Sequence, residues 1–285
     1  MKKLFALLLA AAMVLSMAAC GTDAASSASA AEKSAASAAS AAEPTAAAAA
    51  DGDLAYVQGK GTLVVGITDF EPMDYKDESG NWIGFDADMA SAFAESLGVK
   101  AEFVEIDWDN KIMELDGKTI DCVWNGMTLT DEVTSAMDCS KPYCENGQAV
   151  IVPKDVADKY QDTDNLKELN FAVEAGSAGE AEVTALGASC TPVKTQADAL
   201  MEVAAGTSDA AVIDYLMAAA MVGEGTSYAD LTYTINLNSE EYGVGFRKGS
   251  DLVSALNDFF DASRKDGSMM KTAETYGVQA AVIAQ

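Results

Sequence analysis

Thr62-Leu63-Val64-Val65-Gly66-Ile67, then residues 86–98 with Met89, Phe93 and Leu97 four apart, then Ala101-Glu102-Phe103-Val104-Glu105-Ile106: this stretch decides the fold. The first run is apolar and bounded by glycine, as expected of a strand covered on both faces. The apolar repeat at i, i+4 and i+8 predicts a helix, with Asp86 as its cap and Gly98 as its stop. The third run alternates in the manner of a second strand. Strand, helix and strand in this order build the unit that makes a parallel sheet.

The same rhythm continues outward. Residues 110–115 fit a short helix, and Ile120-Asp121-Cys122-Val123-Trp124 returns to strand. Further on, residues 171–173, 190–193 and 210–213 read as strands. Between them, residues 179–186 and 196–205 read as helices, the second with Leu200, Met201 and Ala204 facing inward. Leu252, Leu256, Phe259 and Phe260 give a late amphipathic helix. Alternating strands and helices predict α/β layers with parallel sheets, and two similar rhythms predict two lobes. No repeat in the residues themselves marks a duplication.

The chain has 285 residues, 49% hydrophobic and 22% charged, a globular composition. Its 45 acidic residues against 18 basic ones give a formal charge of −27, which repels phosphate backbones and argues against nucleic acid as a partner. Histidine is absent, so the commonest general base and metal ligand is missing. No metal and no cofactor are expected. Asp162-Thr163-Asp164-Asn165 lacks the glycine and downstream glutamate of a calcium loop. Of the five cysteines, Cys122 lies in an apolar strand as a core residue, Cys139 and Cys144 are close enough in sequence for a loop disulfide in an exported protein, and Cys190 has no obvious mate.

The first residues read as an address. Lys2 and Lys3 precede an apolar run over residues 4–19, about the length of a secretory signal and short for a spanning helix. The run ends Leu15-Ser16-Met17-Ala18-Ala19-Cys20-Gly21, which resembles the lipobox of bacterial lipoproteins and implies lipidation at Cys20. Met17 departs mildly from the leucine usual there. Residues 22–50 are almost all alanine, serine, threonine and acidic residues, too poor in apolar surface to offset chain entropy. They are expected to form a tether between anchor and folded domain.

Further segments resemble the family 3 bacterial extracellular solute-binding proteins, the amino-acid receptors of ABC importers. They are Val65-Gly66-Ile67-Thr68-Asp69-Phe70-Glu71-Pro72-Met73, Gly84-Phe85-Asp86-Ala87-Asp88-Met89-Ala90, Asp107-Trp108-Asp109, Asn125-Gly126-Met127-Thr128-Leu129-Thr130, Lys141-Pro142-Tyr143, Ala175-Gly176-Ser177, Asp209-Ala210-Ala211-Val212-Ile213-Asp214 and residues 242–249. Their order and spacing carry the resemblance from about residue 61 to 277. It implies a type II periplasmic-binding-protein-like fold, an α/β pair of lobes joined by a two-strand hinge with a ligand cleft between them. The expected organisation is a signal peptide over 1–20, a tether over 21–55, lobe 1 over 56–148 and 240–285, and lobe 2 over 149–239. Crossing strands are expected near residues 148–152 and 241–246.

The resemblance also implies a site. Phe70 would lie against the ligand side chain, or else in the core. Asp69 beside it contacts the ligand or caps the turn. Trp108 lines the cleft wall or packs inward. Asn125, Gly126, Met127 and Thr128 follow a strand and precede a helix start at Thr130, where short side chains and free N–H groups can hold a carboxylate. Gly176, Ser177, Ala178 and Gly179 repeat that geometry in the other lobe. Asp214, ending a strand, matches the acidic residue that takes the ligand α-ammonium.

One position departs from the pattern. The family often has an arginine three residues after Thr130 to fork the α-carboxylate, and here that residue is Val133. Arg247 and Arg264 are the chain's only arginines, and neither lies in a cleft-forming segment. A ligand with less negative charge, or a polyamine-like cation, gains ground. The expected function is a lipid-anchored substrate-binding receptor, a monomer on the outer face of the cytoplasmic membrane, binding an amino acid or small amine for ABC permease subunits. The alternatives are an enzyme of the cyclohexadienyl dehydratase type on the same scaffold, or a ligand sensor.

Overall fold

The computed structural model describes residues 52–284. The signal peptide, Cys20 and nearly all of the expected tether lie outside the described residues. In chain order the elements are α1 (Gly52–Lys60), β1 (Thr62–Ile67), β2 (Tyr75–Lys76), β3 (Trp82–Ile83), α2 (Phe85–Ser96), β4 (Lys100–Glu105), α3 (Lys111–Asp116), β5 (Cys122–Thr128), α4 (Asp131–Ala136), β6 (Asp138–Cys139) and β7 (Cys144–Asn146). Then come β8 (Gln148–Pro153), β9 (Asn170–Glu174), α5 (Ala178–Leu186), β10 (Ser189–Val193), α6 (Gln196–Ala205), β11 (Ala210–Asp214), α7 (Tyr215–Met221), β12 (Leu231–Asn236), β13 (Glu240–Phe246), α8 (Leu252–Asp266) and α9 (Ser268–Thr275).

Two main sheets carry two lobes. The first runs β4-β1-β5-β13-β6, with β7 also on β13, and the second runs β10-β9-β11-β8-β12. β1 is parallel to β4 and β5, and β9 is parallel to β10 and β11. The apolar runs make sense on these central strands, since every residue of β11 is buried and β5 is buried from Cys122 to Met127. The type II two-lobe architecture expected from the sequence is what the chain adopts.

The links between lobes are shorter than the sequence suggests. Both segments expected to cross lie wholly within a sheet, β8 in the second and β13 in the first. The chain passes over at Gly147, between β7 and β8, and at residues 237–239, between β12 and β13. Strand propensity reports that a segment pairs, but not which sheet it joins. The two links hold each other. Leu237 N–H donates to the Gln148 carbonyl at 2.7 Å, and Gln148 N–H donates to Asn238 Oδ1 at 2.8 Å.

Residues 52–55, read as the end of the tether, belong to α1. The Asp251 carboxylate accepts from Leu54 N–H at 2.8 Å, and Asp53 pairs with the buried Arg247 at 3.1 Å. Both partners are nearly 200 residues away, so local sequence gave no sign of them. In α6 the inward residues are Ala199, Leu200 and Val203, whereas Met201 is 52% exposed. Cys139 and Cys144 are free thiols, as are Cys122 and Cys190. The first two face Gly245 and Tyr242 on β13, three positions apart. That is about 10 Å along a strand, beyond disulfide reach.

Asp86 does not cap α2. Gly84 takes that position at φ 127°, and Asp86 is fully buried in the first turn. Its Oδ2 accepts from Gly126 N–H at 2.7 Å and from the Tyr143 hydroxyl at 2.6 Å, which ties α2 to β5. Burial pushes its carboxyl up to about 7, against the pull of those two donors. Asp74, also buried, has neither oxygen bonded, and burial and Asp86 raise it well above the usual range. Each folded-state value lies above the unfolded one, so the folded chain holds protons that the unfolded chain releases. The contribution of Asp86 to stability is complete below about pH 4 and is lost as pH rises through about 7, and that of Asp74 falls in the same direction. Thermal melts are therefore expected to be lower at pH 8 than at pH 5. Asp86→Asn should narrow that gap by several degrees, and an unchanged gap would contradict the assignment.

Candidate functional site

Between the lobes lies a cavity of about 230 Å³. The first lobe supplies Trp108, Lys111, residues 125–128 and residues 130–133, and the second supplies Glu174, residues 176–178, Ala181, Gln196 and Asp214. The carboxyl ends of β5, β9 and β11 converge here, as ligand sites on open α/β sheets do. The lobes touch around it. Lys111 Nζ donates across the cleft to the Gly176 carbonyl at 2.9 Å, and Lys194 reaches Glu105 at 3.3 Å.

Trp108, Asn125, Gly126, Met127, Thr128, Ser177, Ala178 and Asp214 all line this cavity. Asp69 and Phe70 do not. Asp69 is exposed beside Glu71, Tyr75 and Lys76 in a separate depression. Phe70 is buried in the core, edge-on to Tyr242 with centroids 6.4 Å apart. It fills the space a side chain at Gly126 would need: a Cβ there would lie 2.6 Å from the Phe70 ring, at a backbone φ of +54°.

Several lining groups already have partners. Residues 125–128 are the end of β5 and not a loop after it. Asn125 accepts from Thr68 N–H at 3.0 Å and donates to Thr68 Oγ1 at 2.9 Å. Thr128 Oγ1 donates to Glu240 at 2.9 Å. Ser177 caps α5 by accepting from Glu180 N–H at 3.1 Å, while Glu180 accepts from Gly176 N–H at 2.7 Å. Glu180 thus reaches back to the residue before the cap, one position short of a capping box. Thr130 caps α4 as the sequence suggests, accepting from Val133 N–H at 3.2 Å. Val133 itself is buried on the cavity wall.

Asp214 sits where the two lobes and the hinge meet. Its Oδ1 accepts from Gln148 Nε2 at 3.0 Å, the Tyr242 hydroxyl at 2.8 Å and Asn146 Nδ2, and Oδ2 accepts from Gln196 Nε2. Gln196 also accepts from Asp214 N–H at 2.7 Å. Burial, then the charge of Glu240, pushes the carboxyl up to about 7 despite these donors.

Sequence reasoning missed Lys111, Glu174 and Gln196. Lys111 is buried, lies 5.0 Å from the Trp108 ring centroid, and has its proton affinity lowered by burial. Glu174 is 2% exposed with no bond to Oε1. Burial and the charge of Asp214 push it up to about 8. A signal for it existed, because Phe171-Ala172-Val173-Glu174 ends an apolar strand with an acid just as Ala211-Val212-Ile213-Asp214 does.

The sequence model of the bacterial extracellular solute-binding proteins, family 3, matches residues 63–279. The chain belongs to this family. It is similar to the L-cystine-binding protein TcyJ of Escherichia coli (strain K12), 30% identical over 231 residues that cover 79% of this chain and 86% of the relative. Among solved structures, a mutant of ArgBP from T. maritima matches with TM-score 0.74 and 32% identity, over 79% of this chain and 98% of that one. An ABC uptake transporter substrate binding protein from Streptococcus pneumoniae with bound histidine matches with TM-score 0.73 and 28% identity, over 81% and 98%. This family 3 solute-binding protein thus has its cavity between two lobes, lined, among the described residues, by several acids and one lysine.

Proposed function

We propose that this family 3 solute-binding protein captures an amino acid or a related small amine and presents it to the permease subunits of an ABC importer. The carrying observation is the interlobe cavity, which buries two carboxylates, Glu174 and Asp214, at adjacent strand ends. A buried carboxylate is a fitting partner for an ammonium. Relatives named for cystine and for a bound histidine support a small nitrogenous solute. Only contacts from both lobes favour the closed form, so capture and closure are one event. Trp108, Met127, Ser177 and Ala178 would shape the wall around the solute.

The protein carries out no reaction in this reading. A dehydratase on this scaffold would need to hold an anionic substrate, and among the described residues Lys111 is the one basic residue lining the cavity. Lipidation at Cys20 would place the monomer on the outer face of the cytoplasmic membrane. Native mass spectrometry of protein purified without denaturation tests the proposal. An adduct of amine or amino-acid mass is expected, and a sugar or a carboxylic acid without nitrogen would contradict it. Cys20→Ala should move the protein from the membrane fraction to the soluble one.

A further inference from the structure

Several of the groups able to receive an anion in this cavity are already committed, although Lys111 keeps one N–H and its charge. The Asn125 amide is bound to Thr68, Gly126 N–H to Asp86, the Thr128 hydroxyl to Glu240 and Gly176 N–H to Glu180. Lys111 uses two of its N–H groups on the carbonyls of Gly176 at 2.9 Å and Trp108 at 3.3 Å. Two helices begin at the cavity, and a helix start ordinarily favours anions. Both starts already carry acids in their first turns, Asp131 and Glu132 on α4 and Glu180 on α5. Val133 leaves an apolar wall there.

Groups able to receive a cation are not spent. Glu174 Oε1 is buried with no hydrogen-bond partner, and the carboxylate belongs to the cavity lining, with Thr68, Gln196 and the charge of Lys111 favouring its ionised form. Asp214 Oδ2 accepts from Gln196 alone, and an ionised carboxylate oxygen has room for a second donor. Asp131, Glu132, Glu174 and Asp214 face the cavity against the single charge of Lys111.

We infer that the cavity selects an organic cation without a carboxylate, an alkylammonium or guanidinium seated on Glu174 beside Asp214. This rests on the solute-binding reading above and narrows it from amino acids to amines. Glu174 is then the residue that sets specificity. A cation beside it favours its ionised form, so binding releases a proton and tightens as pH rises toward about 8.

Isothermal titration with agmatine, putrescine, L-arginine and L-citrulline tests the inference, because agmatine is arginine without its carboxylate. Agmatine or putrescine is expected to bind at least about ten-fold tighter than either amino acid. Glu174→Gln should weaken the amine about ten-fold and flatten its pH dependence, with a thermal melt no lower than that of the unmodified chain. Tighter binding of L-arginine or L-citrulline than of the amines would overturn the inference and leave the solute-binding reading standing. So would unchanged amine affinity in Glu174→Gln. If neither these probes nor a wider set of amino acids binds, the solute-binding reading falls and takes the inference with it.

Discussion

Asp214→Ala is expected to abolish solute retention and to lower the melting temperature by about 6–12 °C. The substitution removes an acceptor that serves Asn146, Gln148, Gln196 and Tyr242 at once. Gln148, Gln196 and Asp214 are themselves buried, so water does not readily replace the lost partner. Orphaning buried donors costs about 1–3 kcal/mol each, with partial relief as neighbours rearrange. A net loss of about 3 kcal/mol gives the stated shift for a folded part of this size. Some relief is at hand, since Asn146 and Gln148 also donate to Glu240, at 2.7 Å and 2.8 Å. Asp214→Asn separates the two effects. It retains an acceptor for part of the network and removes the charge, so it should melt higher than the alanine variant and still bind poorly. Differential scanning calorimetry and isothermal titration on both variants would show this. Equal binding by Asp214→Asn and the unmodified chain would contradict a role for the charge.

Gly84→Ala is expected to cost about 4 kcal/mol or more and to leave little soluble protein. A Cβ at this position would lie 2.1 Å from the Met73 carbonyl oxygen, and the backbone stands at φ +127°. The clash is with main chain, which cannot swing aside as a side chain would. Backbone strain in such a region costs about 1–3 kcal/mol, and forced overpacking adds a similar amount. The damage reaches the site, because this turn presents Asp86 to Gly126 N–H and so fixes the end of β5. Gly80→Ala is the control. Its φ is +82°, but no atom lies within 4 Å of the added Cβ. It should melt within a few degrees of the unmodified chain.

The fold was legible because it rests on local periodicity. The runs over 62–67 and 210–214 are buried strands, and the i, i+4 repeat over 89–97 packs α2 on the sheet through Met89 and Phe93. What the sequence hides is the identity of distant partners. Phe70 reads from the sequence as a cleft ring in preference to a core ring, and its seat against Gly126 and Tyr242 places it in the core instead. Asp86 has the form of a helix cap, yet its partners are 40 and 57 residues away. Asn125 and Thr128 are polar residues at a strand end, the usual sign of a ligand contact, and both are committed internally. Glu174 shares the pattern of Asp214 but lay outside the motifs that drew attention to the cleft. Lys111 offered no signal beyond being a lysine near Trp108, since its value comes from a carbonyl in the other lobe.

Small-angle scattering tests the central claim most directly. The protein would be stripped of bound solute by unfolding and refolding, then measured alone and with saturating amines and amino acids. A clamshell that closes on its solute predicts a smaller radius of gyration with one class of compound, at the concentration where titration shows binding. Superimposable curves under every addition, despite measured binding, would contradict a hinge that closes around the cavity.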